Sequence, residues 1–135
     1  MYKNPNSTVQ SMPSDESYTL EEITTLIRAF VIERNWESFQ KPSALAVSAA
    51  IEMGELLEKF QWLTTDEISE LLGNSEYREG LADELADVMI YLLRIFDTTG
   101  INPTESIIQK MKKNELKYPA EEWKDKIPDK VRSTK

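Results

Sequence analysis

The sequence predicts an all-α fold of the four-helix-bundle type, and three observations support this prediction. Between residues 18 and 119, apolar side chains recur at the three- and four-residue spacing of a helix. Capping residues and prolines mark where the helices begin. No segment shows the alternation of apolar and polar residues that is typical of a strand. Residues 1–17 are rich in Ser, Pro and Asn and lack a hydrophobic period, so we expect a mobile tail there.

The first two predicted helices begin at recognisable N-terminal signals. Thr19 and Glu22 have the spacing of a capping box, and apolar residues continue at helical spacing to about Asn35. Pro42 opens the second helix, because proline fits the first helical turn. We expect this helix to continue to about Trp62 and, because several of its residues are small, to pack closely against a neighbour.

A short helix and a long helix follow. Thr64 or Thr65 is the expected cap of the short helix, which ends at Gly73. Ser75 is the expected cap of the long helix. This helix ends near Gly100, because glycine readily adopts the left-handed conformation that terminates helices.

The last long helix lies between two prolines. Pro103 fits its first position, and Pro119 ends it, because the residue before a proline is disfavoured in a helix. The predicted helical domain therefore spans residues 18–119. Residues 120–135 are polar and highly charged, which predicts an extended C-terminal arm.

The residue types exclude several kinds of chemistry. The 135 residues include no histidine and no cysteine, which excludes Ser-His-Asp and Cys-His catalysis, zinc sites with thiolate or imidazole ligands, and disulfides. The 4 glycines are too dispersed for a GxGxxG turn or a P-loop. Carboxylates, amines, amides, hydroxyls or a hard metal ion must therefore carry any reaction.

The charge of the chain indicates its partners. A formal net charge of -8 repels nucleic-acid polymers and anionic membrane surfaces and attracts cations. We therefore expect no nucleic-acid polymer and no membrane as partners, and a divalent metal ion as the natural one. No apolar run approaches the roughly 20 residues of a membrane-spanning helix, and the N-terminus has no apolar signal core. These features predict a cytoplasmic protein.

Two pairs of acids lie on the apolar faces of their helices. Advancing each residue by about 100° around the helix axis places Glu52 inside the apolar stripe of the second helix, with Glu55 at its margin. The same treatment places Glu84 inside the stripe of the long helix, with Asp87 about 60° to one side. An ionised carboxylate that is buried without a partner costs several kcal/mol. We therefore expect a cation to compensate these four acids.

Lysine, arginine or a metal ion could supply that positive charge, and antiparallel packing of the two helices would bring the four acids together. Ligands that offer only oxygen select Mg²⁺, with Mn²⁺ as a substitute. A di-iron carboxylate bundle is the competing metal site, but it normally uses Glu-x-x-His motifs, and this chain has no histidine. The alternative without a metal is that these are surface acids of amphipathic helices.

Four segments of the chain carry a family resemblance. They are ERNWESFQKP at 33–42, IEMGELLEKFQW at 51–62, ELADVMIYL at 84–92 and KMKKNELKYP at 110–119. Their order and spacing resemble the MazG-like all-α nucleoside triphosphate pyrophosphatases, especially the single-domain dCTP pyrophosphatase branch, over about residues 20–119. The resemblance implies Mg²⁺ held by the same four acids that the helical positions select.

The resemblance also implies a nucleoside pocket. Its expected members are Trp36, Trp62, and Phe39 and Gln40 of the segment 37–40. Aromatic side chains that stack on bases contribute about 1 to 3 kcal/mol per base, whatever the base, so polar groups such as Gln40 must discriminate. Gln40 stands where eukaryotic members carry a histidine, so the base preference stays open. Core packing is the alternative role of the tryptophans.

The resemblance places three more residues near the substrate. Tyr91 continues the ridge of Glu84 and Asp87 on the long helix, and Lys110 and Asn114 form a polar ridge on the last one. Tyr91 would bind phosphate or sugar, and the other two would lie near the triphosphate. Core packing for the tyrosine and a solvated face for the polar ridge are the alternatives.

The function that fits these residues is Mg²⁺-dependent hydrolysis of nucleoside triphosphates, dCTP-like or other deoxynucleotides, to the monophosphate and pyrophosphate. The resemblance implies a role in cleaning the nucleotide pool. Glu52 or Glu55 would orient the attacking water, because histidine is absent. Two alternatives are a nucleotide-binding regulatory module of the same fold without turnover, and a structural helical adaptor.

The long helix predicts self-association. Its apolar residues spread well beyond the single stripe of a surface helix, and they include Met89, Ile90, Leu92, Leu93, Ile95 and Phe96. A second subunit would bury the additional face, most simply through a two-fold interface. The resemblance extends this expectation to a homotetramer whose sites are lined by more than one chain, with a dimer as the second choice.

Overall fold

The computed structural model describes residues 9–14 and 16–127, and these residues form helices and no strand. In chain order the helices are α1 (Leu20–Glu33), α2 (Pro42–Glu58), α3 (Thr65–Leu71), α4 (Ser75–Thr99), α5 (Pro103–Lys117) and α6 (Ala120–Trp123). A 3₁₀ turn, Glu37–Phe39, lies between α1 and α2. The all-α prediction is confirmed. No helix among the described residues is both long and apolar enough to cross a membrane.

The predicted capping box begins α1. The hydroxyl of Thr19 accepts a hydrogen bond from the backbone N–H of Glu22 at 3.1 Å, and the Glu22 carboxylate accepts one from the backbone N–H of Thr19 at 2.8 Å. The helix ends just before Asn35, whose φ of 54° is left-handed, a conformation that asparagine tolerates. The chain can therefore turn sharply into the 3₁₀ segment that precedes α2.

Two helix termini differ from the sequence prediction. The cap of α4 is Asn74 rather than Ser75: its side-chain oxygen accepts from the backbone N–H of Tyr77 at 3.0 Å, and Ser75 is the first helical residue. Asparagine and serine cap almost equally well, so composition alone could not separate them. The second helix, α2, ends at Glu58 and not near Trp62, which has a left-handed φ of 67°. Gly100 ends α4 as predicted, with a φ of 68°.

The chain forms two compact units, Met1–Pro103 and Thr104–Lys135. In the first unit α4 packs against α2 and, less extensively, against α1. Its buried apolar residues come from all three helices, and they are Val31, Leu45, Ala49, Val88 and Leu93. These contacts place the acid-bearing faces of α2 and α4 next to each other.

The apolar surface of α4 is divided between core and exterior. Leu93, which the sequence placed in the additional apolar surface, is only 4% exposed and belongs to the core. Met89, Ile90 and Leu92 remain exposed, as the sequence predicted for a second apolar face. Leu92 is exposed and Leu93 is buried because neighbouring residues on a helix point about 100° apart.

An ion-pair network joins α1 to α4. Asp97 accepts hydrogen bonds from Arg28 of α1 through both carboxylate oxygens, and from Arg94, one turn earlier on α4. The hydrogen bonds from Arg28 are the main reason that the pKa of Asp97 lies below its usual range, and they outweigh the opposing effect of burial. The network therefore stabilises the packing of α1 on α4 as long as Asp97 is ionised.

The second unit contains α5 and α6. Ala120–Trp123 is helical where the sequence predicted an extended arm, and the Trp123 ring packs edge-on against Tyr118 with centroids 5.0 Å apart. This aromatic contact gives the short helix a partner that charge composition did not reveal. The remainder of the predicted arm from 128 onward, and residues 1–8 and 15 of the predicted tail, lie outside the described residues.

Candidate functional site

Three glutamates meet where α2 packs against α4. Glu52 and Glu55 lie one turn apart on α2, and Glu84 lies on α4. One carboxylate oxygen from each lies within 4.8 Å of the corresponding oxygens of the other two. We call these three residues the carboxylate cluster. The structure thus brings together three of the four acids that the sequence selected.

The carboxylate cluster contains buried oxygens that lack a partner. Oε2 of Glu52 and Oε2 of Glu84 are both buried, and among the described residues neither has a hydrogen-bond partner. Burial, followed by repulsion from Glu55, raises the pKa of Glu52 and of Glu84 above the ordinary glutamate value. Clustered carboxylate oxygens, two of them without a hydrogen-bond partner in the described part of the chain, are the ligand set that a hard divalent cation prefers, so these residues fit a Mg²⁺ ion.

Asp87 lies just outside the carboxylate cluster. It is exposed and stands one turn beyond Glu84 on α4. Its charge contributes to raising the pKa of both Glu52 and Glu84, so it is close enough to act on them electrostatically. Its role as a fourth metal ligand stays a prediction.

Lys59 is a residue near the cluster that the sequence analysis missed. Its ammonium lowers the pKa of Glu84, although burial and the acids outweigh this effect. The same ammonium lies so close to Gly80 of α4 that a Cβ atom there would be 2.9 Å from Nζ. Lys59 follows Glu52 and Glu55 at i+7 and i+4 on one helical ridge, and this spacing could have indicated it. One ammonium near Glu84 does not balance the three carboxylates of the cluster, so the site stays negative.

The predicted pocket aromatics are exposed. Trp36 is 45% exposed and packs edge-on against Phe30 with centroids 6.0 Å apart, Phe39 is 74% exposed, and Trp62 is 90% exposed. Among the described residues, no ring contact joins Trp36 to Trp62. Within a single chain these three residues therefore do not serve the core, and their faces are available to a ligand or a second subunit.

Gln40, the predicted base reader, is held by a residue that the sequence analysis missed. Its side-chain oxygen accepts a hydrogen bond of 2.7 Å from Nε of Arg94, which is buried on α4. Tyr91, half-buried, lies one turn before Arg94 on the same ridge that carries Glu84 and Asp87. The position of Arg94, seven residues after Asp87, is the signal that could have found it.

The last two predicted site residues belong to the second unit. Lys110 and Asn114 lie one turn apart on α5, the first exposed and the second half-buried. Asn114 lines a surface groove with Ile107, Met111 and Tyr118. The role of Lys110 and Asn114 near a triphosphate stays a prediction.

Comparison with known proteins gives a consistent picture. Residues 47–127 match the MazG-like family. Among curated relatives, dCTP pyrophosphatase 1 of Mus musculus is 37% identical over 101 residues, covering 75% of this chain and 59% of that protein. The Homo sapiens protein of the same name is 37% identical over 102 residues, covering 76% and 60%. This chain thus spans about three fifths of the length of these relatives.

A solved structure resembles the fold closely. The crystal structure of a pyrophosphatase from Archaeoglobus fulgidus superposes with a TM-score of 0.69 at 41% sequence identity, covering 80% of this chain and 99% of that one. The two proteins are therefore similar both in fold and in sequence.

Proposed function

This chain belongs to the MazG-like family, and on that basis we propose that it is a nucleoside triphosphate pyrophosphohydrolase that depends on Mg²⁺, with Mn²⁺ as a substitute. The substrates are deoxynucleoside triphosphates, dCTP-like or other, and the products are the monophosphate and pyrophosphate. Cleaning of the nucleotide pool and a cytoplasmic location are part of the same proposal. The relatives named above are pyrophosphatases, which supports the reaction class.

The observation that carries the proposal is the carboxylate cluster with its two unpartnered buried oxygens. A structural helical adaptor gains nothing from acids that repel one another inside its helix interface. A metal-dependent hydrolase needs such a group of oxygens, because they bind the cation that engages the triphosphate. Glu52, Glu55 and Glu84 would hold the ion, with Asp87 as the fourth ligand.

The reaction can be assigned to this chain's residues. A bound Mg²⁺ ion supplies charge neutralisation to the phosphate oxygens and acidifies water. A water oxygen forms a bond to the α-phosphorus, the bond from that phosphorus to the α,β-bridging oxygen breaks, and pyrophosphate leaves. Glu55 is the exposed member of the cluster and is accessible to the water. Glu55 or its neighbour Glu52 takes the proton, because the chain has no histidine.

The remaining site residues position the substrate. The exposed faces of Trp36 and Trp62 would stack on the base, with Phe39 beside them. Gln40 would read the edge of the base, and the hydroxyl of Tyr91 would bind phosphate or sugar. These contacts hold the α-phosphorus near the carboxylate cluster, which converts binding energy into orientation.

The proposal includes a homotetramer, with a dimer as the second choice. Large apolar side chains are exposed along both α2 and α4, and they are Val47, Ile51, Met53, Leu57, Leu85, Met89, Ile90 and Leu92. Two neighbouring helices with this much uncovered apolar surface favour association with a second copy.

The test is pyrophosphate release from a panel of deoxynucleoside triphosphates with Mg²⁺ and with a chelator. We expect turnover with Mg²⁺ only. Glu55→Gln should lower kcat by at least about 100-fold, while the control Glu58→Gln, an exposed glutamate of the same helix, should retain activity. Nucleotide binding without turnover in the wild type would establish the regulatory module instead, and neither binding nor turnover would establish the adaptor.

A further inference from the structure

The side-chain amide of Gln40 has a fixed orientation. Its Oε1 accepts from Nε of Arg94 at 2.7 Å. Arginine offers five N–H donors and no acceptor, so only the amide oxygen can face it. The amide oxygen of Gln40 therefore faces Arg94, and its NH₂ group points away from the guanidinium.

Arg94 is itself held in place. It is only 7% exposed, and its Nη1 donates to Oδ2 of Asp97. Asp97 is held in turn by Arg28 of α1, whose guanidinium donates to both of its carboxylate oxygens. Rotation of Arg94 away from Gln40 would break its largely buried ion pair with Asp97, which is costly. The guanidinium is thus a rigid support for the amide.

This support leaves Gln40 only one way to contact a ligand. A glutamine that can rotate by 180° about its last bond presents either an acceptor or two donors. In this chain the oxygen is engaged by Nε of Arg94, so the amide keeps its two N–H donors for a ligand. The side chain is half-buried, so its NH₂ group is still accessible. A ligand that meets Gln40 therefore meets hydrogen-bond donors.

The position of the pair along α4 corresponds to the base end of a nucleotide. Arg94 follows Asp87 by seven residues on one helical ridge, which is about 10 Å along the helix axis. This separation is comparable with the distance from the phosphates to the base edge of an extended nucleotide. A triphosphate engaged by the acids can thus bring its base to Gln40.

We propose that Arg94 is a positioning residue that makes Gln40 a donor-only reader, so that the site prefers nucleobases with a keto oxygen at C4 of a pyrimidine or at C6 of a purine. Uracil, thymine, guanine and hypoxanthine carry an acceptor at this position, whereas cytosine and adenine carry an amino donor. The exocyclic atom projects furthest from the ring edge and is the first to meet a side-chain donor. An amino group at this position would place its N–H donors against the N–H donors of Gln40, and a hydrogen bond would be lost. This inference rests on the proposed function.

The first test compares substrates that differ only at this edge. The measured quantity is the ratio of kcat/KM for dUTP over dCTP and for dITP over dATP. We expect a keto preference of about tenfold in both pairs, equivalent to about 1.4 kcal/mol. Arg94→Met should reduce both ratios to about twofold or less, through kcat as well as KM, because the freed amide can rotate. The control Arg78→Met removes an exposed arginine of the same helix and should leave the ratios unchanged.

Two further variants, Gln40→Glu and Arg94→Lys, test the proposal even if Arg94→Met does not fold. Gln40→Glu has acceptors only and can pair with Arg94, so the base preference should reverse in favour of dCTP and dATP. Arg94→Lys retains a donor to Oε1 and should keep a keto preference. Equal ratios in the wild type and Arg94→Met, or an amino preference in the wild type, would overturn the proposal.

A binding measurement separates this inference from the reaction. Calorimetry with α,β-methylene dUTP and α,β-methylene dCTP, in which carbon replaces the bridging oxygen, reports base preference without hydrolysis. Keto-selective binding with no hydrolysis of any triphosphate would overturn the proposed reaction and support the role of Arg94. Hydrolysis with kcat/KM ratios that do not change in Arg94→Met would support the proposed reaction and overturn the role of Arg94. No binding of either analogue would overturn both.

Discussion

Replacing Glu84 with glutamine should stabilise the metal-free protein and remove its response to Mg²⁺. Glu84 is the contribution of α4 to the carboxylate cluster, and one of its oxygens is buried without a partner. Glutamine has nearly the same shape, carries no charge, and can donate its N–H groups to Glu52 and Glu55. Removing a like charge from a repelling group favours the folded state.

The size of the Mg²⁺ response follows from binding linkage. When ionised, the three carboxylates of the cluster and the ammonium of Lys59 near Glu84 sum to a charge of about minus two, which a divalent cation balances. At a Mg²⁺ concentration 100-fold above Kd, the ion stabilises the folded state by about 2.7 kcal/mol. For a chain of 135 residues this corresponds to an increase in Tm of about 10 °C. The glutamine variant should show a shift of about 2 °C or less, because it lacks the charge that attracts the ion.

The pH dependence has opposite signs with and without metal. The pKa values of Glu52 and Glu84 are raised in the folded protein, mainly by burial, so without metal the folded state binds protons more readily than the unfolded state. The stability of the metal-free protein should therefore increase as the pH falls from neutral toward these raised pKa values. The Mg²⁺-induced shift should decrease over the same range, because protons compete with the ion.

Thermal unfolding monitored by circular dichroism at a series of pH values from neutral downward, with a Mg²⁺ titration and a chelator control, measures all three effects. Asp83→Asn, which removes an exposed carboxylate next to Glu84, is the matched control and should behave as the wild type. A Glu84→Gln variant that melts lower than the wild type without metal, or that keeps the full Mg²⁺ shift, would refute the reasoning.

Three further expectations follow from the structure. Trp36→Ala and Trp62→Ala should each raise KM for a deoxynucleotide by about tenfold, with little effect on tripolyphosphate hydrolysis; equal losses on both substrates would contradict stacking. Met89→Glu, on the exposed apolar face of α4, should dissociate the oligomer in light scattering and lower activity with it, and a wild-type monomer with full activity would exclude a shared site. Asp97→Asn should cost about 2 kcal/mol of unfolding free energy. Because the pKa of Asp97 is lowered in the folded protein, its contribution to the free energy of unfolding is complete above the ordinary aspartate pKa and is lost as the pH falls below it. Denaturant melts from pH 2 to 6 should show this loss in the wild type but not in the asparagine variant.

Local signals in the sequence were enough for most of the fold. The capping box at Thr19, the start of α2 at Pro42 and the end of α4 at Gly100 depend on a few neighbouring residues, and each lies where it was expected. The acids were found in the same way, since helical periodicity alone shows that Glu52 and Glu84 enter apolar stripes. Such local rules fail where two neighbouring residues fit equally well, as with Asn74 and Ser75 at the start of α4.

What the sequence could not provide are pairings between distant segments. Gln40 and Arg94 are 54 positions apart, and their hydrogen bond exists only because the 3₁₀ segment after α1 reaches α4. The edge contact of Tyr118 with Trp123, which gives α6 a partner, is likewise invisible to composition. Helical position could have indicated Arg94 and Lys59 as members of their ridges, but not which residues they hold.

A single ridge of α4 orders the proposed chemistry along the substrate. Glu84, Asp87, Tyr91 and Arg94 follow one another at spacings of three, four and three residues and together span about 15 Å. In the proposed reaction the acids would engage the metal and phosphates, Tyr91 would contact the sugar, and Arg94 would hold Gln40 against the base. Because one rigid helix fixes these spacings, contacts at the base end align the α-phosphorus at the acid end, and a wrong base should lower kcat as well as raise KM. Base selection and catalysis would then depend on the same element of structure.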